Sequence, residues 1–490
     1  MKITAQLAAV VPLLHLANSL DLLAPRSSPT VISASIQRKT TTNLSPATRD
    51  RLRVSARASA SPSTLSESLS NDITLYFANV TLGTPPQPLA LHLDTGSSDL
   101  WVNTPSSALC TRYASVCAAS GSYTANASSS YRYLNSRFNI TYVDRSGATG
   151  DYATDQLSIG GVELPAFQFG IGYRSTSQEG ILGIGYPANE VAVNAAGGGS
   201  AYPNLPKALQ NRGVIASSAF SLWLNDLDAS TGSVLFGGVD TAKFHGTLQT
   251  LPVIAQYGEY AEFIIALTAL GVNGVANSLA AGVAIPVLLD SGSSLTYLPA
   301  SYVDTLFTQW NAVYDAQEGA AIVPCSLAEQ QGSVDFTFSS AAATISVPLN
   351  ELVLVGGYTD GQPVCIFGVA PLAAGSTAVL GDTFLRSAYV VYDIANNQIS
   401  LAPTNFNSTA DDIVEIASGA GGVPSATPVQ NAVTSVGTRL ATGVAVGGGS
   451  TVALAATPNA AVPRVAKAMI TSGPGVAAAA VLGWGAVLAL

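Results

Sequence analysis

The chain has 490 residues, 48% of them apolar and 10% charged, with a formal net charge of −10. Length and apolar content allow two or three domains, each with its own core. So low a charge density, with abundant Gly, Ser, Thr and Ala, suits β-rich lobes and polar linkers and argues against a helical protein, and the acidic balance excludes nucleic acid as an expected partner.

Residues 1–19 read as a secretory signal peptide: Lys2, an apolar run through Ala17, then Ala17-Asn18-Ser19 as a small-residue cleavage site. Residues 20–71 hold 7 basic and 3 acidic side chains, a balance of +4, whereas residues 72–459 hold 10 and 27, a balance of −17. A basic segment can lie on an acidic body and loosen as acid protonates the carboxylates, which predicts an inhibitory prosegment. Its candidate contacts or processing sites are Arg38, Lys39, Arg49, Arg51, Arg53 and Arg57. An unstructured leader is the alternative reading.

The body says one thing twice. Leu91 to Val102 reads LHLDTGSSDLWV and Val287 to Pro299 reads VLLDSGSSLTYLP, with Asp94 and Asp290 separated by 196 positions. Each copy enters and leaves through apolar residues, predicting a strand, a tight turn and a strand with the Asp near the bend. Ile181-Leu182-Gly183 ends 89 positions after Asp94, and Val379-Leu380-Gly381 ends 91 after Asp290. A shared motif on a shared internal metric marks a duplicated unit, here divided into lobes 72–245 and 246–403.

Two copies make chemical sense. Carboxylates held about 3 Å apart cannot both ionise and share one proton, so one can act as base toward a water while the other donates to a carbonyl oxygen. Gly96 and Gly292 let backbone amides approach the carboxylates, and Ser97 and Ser293 can bond their outer oxygens. Thr95 and Ser291 can reach across to the opposite turn and hold the two face to face.

On these motifs residues 71 to 403 resemble a pepsin-family aspartic protease. LYFANVTLGTPPQPLALHLDTGSSDLWV is similar to the family's first-lobe opening, ITYVDRSGATGDY (140–152) to its flap hairpin, and AVLGDTFLRSAYVVYDIANNQISLAP (378–403) to its closing strands. The resemblance implies an all-β dominated, bilobal acid protease fold with the cleft between the lobes, one catalytic Asp in each, and peptide hydrolysis by an activated water without metal, cofactor or covalent intermediate. It also implies that Tyr142 is the flap tyrosine, closing over substrate and hydrogen-bonded by Trp101. Where family flaps often read Tyr-Gly-x-Gly, Val143, Asp144 and Arg145 follow Tyr142 here. Asp144 is the candidate partner for a substrate Lys or Arg, with Arg145 able to neutralise it.

Four cysteines in an oxidising compartment suggest two bridges. Pairing Cys110 with Cys117 and Cys325 with Cys365 resembles the family, and other connectivities would cross lobes. Asn79, Asn126, Asn139 and Asn407 head N-glycosylation sequons. Residues 404–459, rich in Ser, Thr, Gly, Ala, Pro and Val, read as a flexible stalk in which Asp411, Asp412 and Glu415 are solvated charges. Residues 460–490 read as a GPI signal. Small residues Asn459-Ala460-Ala461 precede a spacer with Arg464 and Lys467, and an uncharged stretch then runs from Ala468 to Leu490. Asn459 is the expected attachment site, with Ser472 or Gly473 as alternatives, and a membrane span is the competing reading of the tail.

Rival chemistries lack their parts: there is no HExxH and no Gly-x-Ser-x-Gly, and His92 reads as a strand residue beside Asp94. Protease body, stalk and lipid signal together resemble the yapsin-like, surface-anchored proteases of fungi. The expectation is a monomeric endopeptidase at the cell surface, acting on proteins or peptides at acidic pH and inhibited by its own prosegment. The rival from another class is a catalytically silent pepsin fold that binds a wall polymer or peptide.

Overall fold

The computed structural model describes residues 31–41, 73–142, 146–193, 199–316, 319–373 and 375–436. The signal peptide, most of the prosegment, Asp144, Arg145, Asn459 and the whole GPI segment lie outside the described residues.

Strands dominate, and the duplicated unit is visible in how they pair. In the first half, strand Gln87–Asp94 leads into the first Asp turn and the chain leaves along Leu100–Asn103. The short strand Ile181–Gly183 inserts between them, parallel to the first (Leu93 opposite Leu182, Asp94 opposite Gly183) and antiparallel to the second (Leu100 opposite Leu182). The second half repeats this. Strand Ile285–Leu289 enters, Thr296–Leu298 leaves, and Ala378–Leu380 runs parallel to the first and antiparallel to the second. The apolar pair before each glycine is therefore the third strand under each Asp turn. It must be apolar because both faces are covered: Leu93, Leu182, Leu289 and Leu380 are fully buried.

The sequence boundary at 245 separates the two Asp motifs but not two sheets. Leu248–Pro252, Ala388–Asp393 and Gln398–Pro403 join a 14-stranded sheet with strands of the first half, Ala388–Asp393 pairing directly with Ala219–Trp223. Ala388–Asp393 is buried along its whole length, with Tyr392 stacked on Phe220. The halves thus share a floor as well as a cleft.

Residues counted with the prosegment enter the same floor. Ile32–Thr41 lies between Ile73–Leu82 and Thr231–Phe236, antiparallel to both, and alternation sends Ile32, Ala34 and Ile36 into the core.

The reading of residues 404–459 as a stalk is corrected for the part that is described. Residues 404–436 lie against the body: Ile413–Glu415 pairs with Gly238–Asp240, and Ala426–Pro428 adds a parallel strand to Leu248–Pro252. Ile416, Val423 and Val429 are buried, the first completely, and a fully buried Ile stabilises by about 1.5–3 kcal/mol. Glu415 is exposed as expected, but Asp411 and Asp412, though exposed, are also bonded to the body. Lys243 Nζ reaches Asp411 at 2.9 Å and the carbonyls of Ser408 and Ala410, while Asp412 accepts from Thr241. Three apolar side chains and one lysine suffice where the average composition suggested no core.

Both disulfides are formed as expected, Cys110–Cys117 in the first half and Cys325–Cys365 in the second. The four sequon asparagines, Asn79, Asn126, Asn139 and Asn407, are all exposed.

Candidate active site

Each Asp sits where its strand ends and the chain turns, so its side chain meets the amides of the turn. Gly96 N donates to Asp94 Oδ1 at 2.8 Å and Ser97 N to the same oxygen at 3.2 Å, while Ser97 Oγ donates to Oδ2. Gly292 N donates to Asp290 Oδ1 at 2.8 Å and Ser293 Oγ to Oδ2 at 2.6 Å. Both carboxyl groups are buried.

The turns are locked to each other by an exchange with two-fold character. Thr95 Oγ1 donates to Leu289 O at 2.9 Å and accepts from Ser291 N at 3.0 Å. Ser291 Oγ donates to Leu93 O at 2.9 Å and accepts from Thr95 N at 3.2 Å. Each hydroxyl bonds the amide of its counterpart and the carbonyl just before the opposite Asp. Ser in place of Thr at 291 therefore keeps its hydrogen bonds. The ring Nε2 of His92, 3.2 Å from Ser291 O, is a further bridge that the sequence did not reveal.

Close approach explains the glycines. A Cβ on Gly96 would stand 2.5 Å from Asp290 Oδ1, and one on Gly292 would stand 2.5 Å from Asp94 Oδ1. Each glycine faces the other half's carboxylate, so the two acids confront one another across a gap that no side chain could share. Burial, and next the charge of Asp290, raise the Asp94 carboxyl well above the usual range; burial raises Asp290 as well. The pair holds a proton in common and titrates as a unit. One protonated and one ionised carboxyl at the same place can activate a water and protonate a carbonyl oxygen together.

These features decide the family. A profile of eukaryotic aspartyl proteases matches residues 75–404. The chain belongs to the eukaryotic aspartyl protease family. It is 53% identical over 84% of its length to the "Probable aspartic-type endopeptidase opsB" of Aspergillus oryzae, covering 84% of that protein. The corresponding figures are 47%, 89% and 89% for a similarly titled protein of Trichophyton verrucosum. For "Aspartic proteinase 3" of Saccharomyces cerevisiae they are 30%, 73% and 74%. The chain is thus an aspartic-type endopeptidase by descent, in agreement with the sequence reading, and the relatives named here are fungal.

Over the protease's first turn lies the flap hairpin, Arg132–Thr141 paired with Gly147–Ile159. At its near end Tyr142 Oη accepts from Trp101 Nε1 at 2.7 Å, and both rings are buried with Phe138, Ile140, Tyr152 and Tyr202. Burial, then the nearby Asp94 charge, pushes the Tyr142 phenol up, so it stays a neutral donor and acceptor.

Further polar residues near the first turn were not singled out in the sequence. Asn189 Nδ2 donates to Gly96 O at 3.2 Å. Asp99 accepts from Tyr152 Oη at 2.6 Å, Tyr202 Oη at 2.7 Å and Val191 N at 2.9 Å. Glu190 Oε2 accepts from Tyr202 N at 2.7 Å. Burial raises Asp99 above the usual carboxylate range, and pushes Glu190 up to about 9 against its one hydrogen bond. The only available signal was Asp99 inside the motif itself, at the position that Leu295 takes in the second copy.

Proposed function

We propose that this protease hydrolyses internal peptide bonds of proteins or peptides at acidic pH through Asp94 and Asp290. The observation that carries the reading is the confrontation of two buried carboxyls, each facing the other turn's glycine at a distance that admits no Cβ. A water between them loses a proton to the ionised carboxylate as its oxygen attacks the scissile carbonyl carbon, and the protonated partner passes its proton to the carbonyl oxygen. Return of a proton to the amide nitrogen then lets the C–N bond break, giving the acid and the amine. Acid favours the singly protonated pair, and Tyr142, tied to Trp101, closes over the bound peptide.

The protease enters the secretory pathway through residues 1–19. It is held latent by its prosegment, of which residues 32–41 bind as a strand of the floor, and it is displayed as a GPI-anchored monomer on the cell surface. Support for the anchor is the order of small residues, spacer and uncharged tail after Asn459. A body balance of −17 favours cationic substrates through its field.

One experiment on intact cells tests the whole reading. A diverse peptide library is digested across pH by cells producing the protein, before and after phosphatidylinositol-specific phospholipase C and with or without a statine-type inhibitor. The expected result is internal cleavage strongest in acid, blocked by the inhibitor and released into the medium by the lipase. Activity indifferent to the inhibitor would remove the aspartic mechanism. Activity that stays on the cells would remove the lipid anchor.

A further inference from the structure

A groove of about 520 Å³ lies between strands of the first half and the short helix Ala114–Ser120. Strand register makes its base. Asn79 stands opposite Ala90, and Thr81 stands opposite both Pro88 and Ser158, so these side chains share a face. Its wall carries Ala118 and Ala119, directly after Cys117, whose bridge to Cys110 staples the helix. Gly121 follows the helix at φ +82°, where an added Cβ would stand 2.4 Å from Pro88 O, so the wall is seated close on the base.

Asn79 heads the sequon Asn79-Val80-Thr81, and of the four sequon asparagines only this one lines the groove. Alternation buries Val80 in the core and leaves Asn79 exposed. The other three stand elsewhere: Asn126 in a single helical turn, Asn139 on the last strand of the 14-stranded sheet, and Asn407 beyond the closing strand.

The volume falls within the range of small-ligand sites, about 300–1,000 Å³. Alanines and a proline offer apolar contact, while Thr81 and Ser158 offer hydroxyls. Such a surface suits a pyranose ring, whose C–H face packs on apolar atoms while its hydroxyls need hydrogen-bond partners. A sugar linked to Asn79 Nδ2 also needs little affinity of its own, because the covalent link holds it beside the groove at high effective concentration. Resting on the secretory reading above, we infer that Asn79 carries an N-linked glycan whose first N-acetylglucosamine units lie in this groove, packed between the strands and the disulfide-held helix. The glycan thereby covers apolar surface that would otherwise face water and braces the wall against its base.

The test uses the full chain secreted by a fungal host, with occupancy of each sequon read by mass spectrometry of its peptides. Asn79 is expected to be occupied. An endoglycosidase that cuts within the two-sugar core should remove this glycan from the native protein at least about tenfold more slowly than from the denatured protein, because access then requires local opening. Ala119→Trp, at an exposed wall position, fills the groove and leaves the sequon intact, and it should abolish the protection. Ser158→Trp fills the groove from the base and should do the same. The inference is overturned if secreted protein carries a bare Asn79, if its glycan is cut equally fast in native and denatured protein, or if the protection survives both fillings. A chain kept inside the cell with all four sequons bare would instead overturn the secretory reading on which the inference rests.

Discussion

The two Asp turns are nearly superimposable in their hydrogen bonds, yet the shells behind them solve the same electrostatic problem in opposite ways. Behind the first turn lie two buried acids, Asp99 and Glu190, which accept from tyrosine hydroxyls and backbone amides and, among the described residues, form no ion pair, and burial raises both. Behind the second turn, Leu295 replaces Asp99 and packs with Ala320, Leu354, Ile366 and Ala370. One buried acid of that half, Glu351, is met by the Arg386 guanidinium and also accepts from Leu227 N at 3.0 Å. In the first shell burial raises both acids, in the second a buried guanidinium meets Glu351, and it is the first that lies under the flap.

The largest test asks whether the symmetry at the centre is functional. Asp94→Asn and Asp290→Asn should each lower kcat/KM by about a thousandfold or more, because either change removes a group that the shared proton requires. Circular dichroism and thermal melting should show both variants folded. If one variant keeps substantial turnover in a preparation free of other proteases, the two carboxyls are not equivalent partners.

Next comes the cation-paired shell. Glu351→Gln leaves the fully buried Arg386 charge without its counterion and should destabilise the protease by about 3–5 kcal/mol. Denaturant melts of the two proteins would measure this, and an unchanged midpoint would contradict the pairing.

The smallest effect distinguishes the shells most sharply. Glu190 ordinarily titrates near 4.5 and is pushed up to about 9, so between these values the folded chain holds a proton that the unfolded chain releases. Stability from this group is therefore present in acid and falls as pH rises toward 9. Glu190→Gln should leave melting at about pH 4 nearly unchanged and raise stability at about pH 8 by roughly 1–3 kcal/mol. Equal effects at both values would show that Glu190 is not held protonated.

What could be read from the sequence was whatever lies close along the chain or repeats. The Asp, hydroxyl residue, glycine and serine of each turn occupy four consecutive positions, and the strand beneath each turn repeats at nearly the same interval. Trp101 and Tyr142 came from family resemblance, since nothing in a 41-residue separation predicts their bond. Contacts made by folding stayed hidden. Glu190 meets the Asp99 network through Tyr202 across 91 positions, where either residue alone looks like an ordinary surface acid. The segment after 403 was misread because an average over Ser, Gly and Ala conceals Ile416, Val423 and Val429, whose positions relative to the sheet edge matter more than their number.

That segment also separates two meanings of where a protein ends. The family profile stops at residue 404, but the folded object continues through a strand on Leu248–Pro252 and a lysine that grips the chain from beneath. Cutting at the edge of the family match would uncover Val239, Phe244 and Leu248 and leave Lys243 facing Asp240 alone, 3.9 Å away. The family match thus covers less than the folded object, whose edge lies beyond residue 404 in a strip of chain that lines the body.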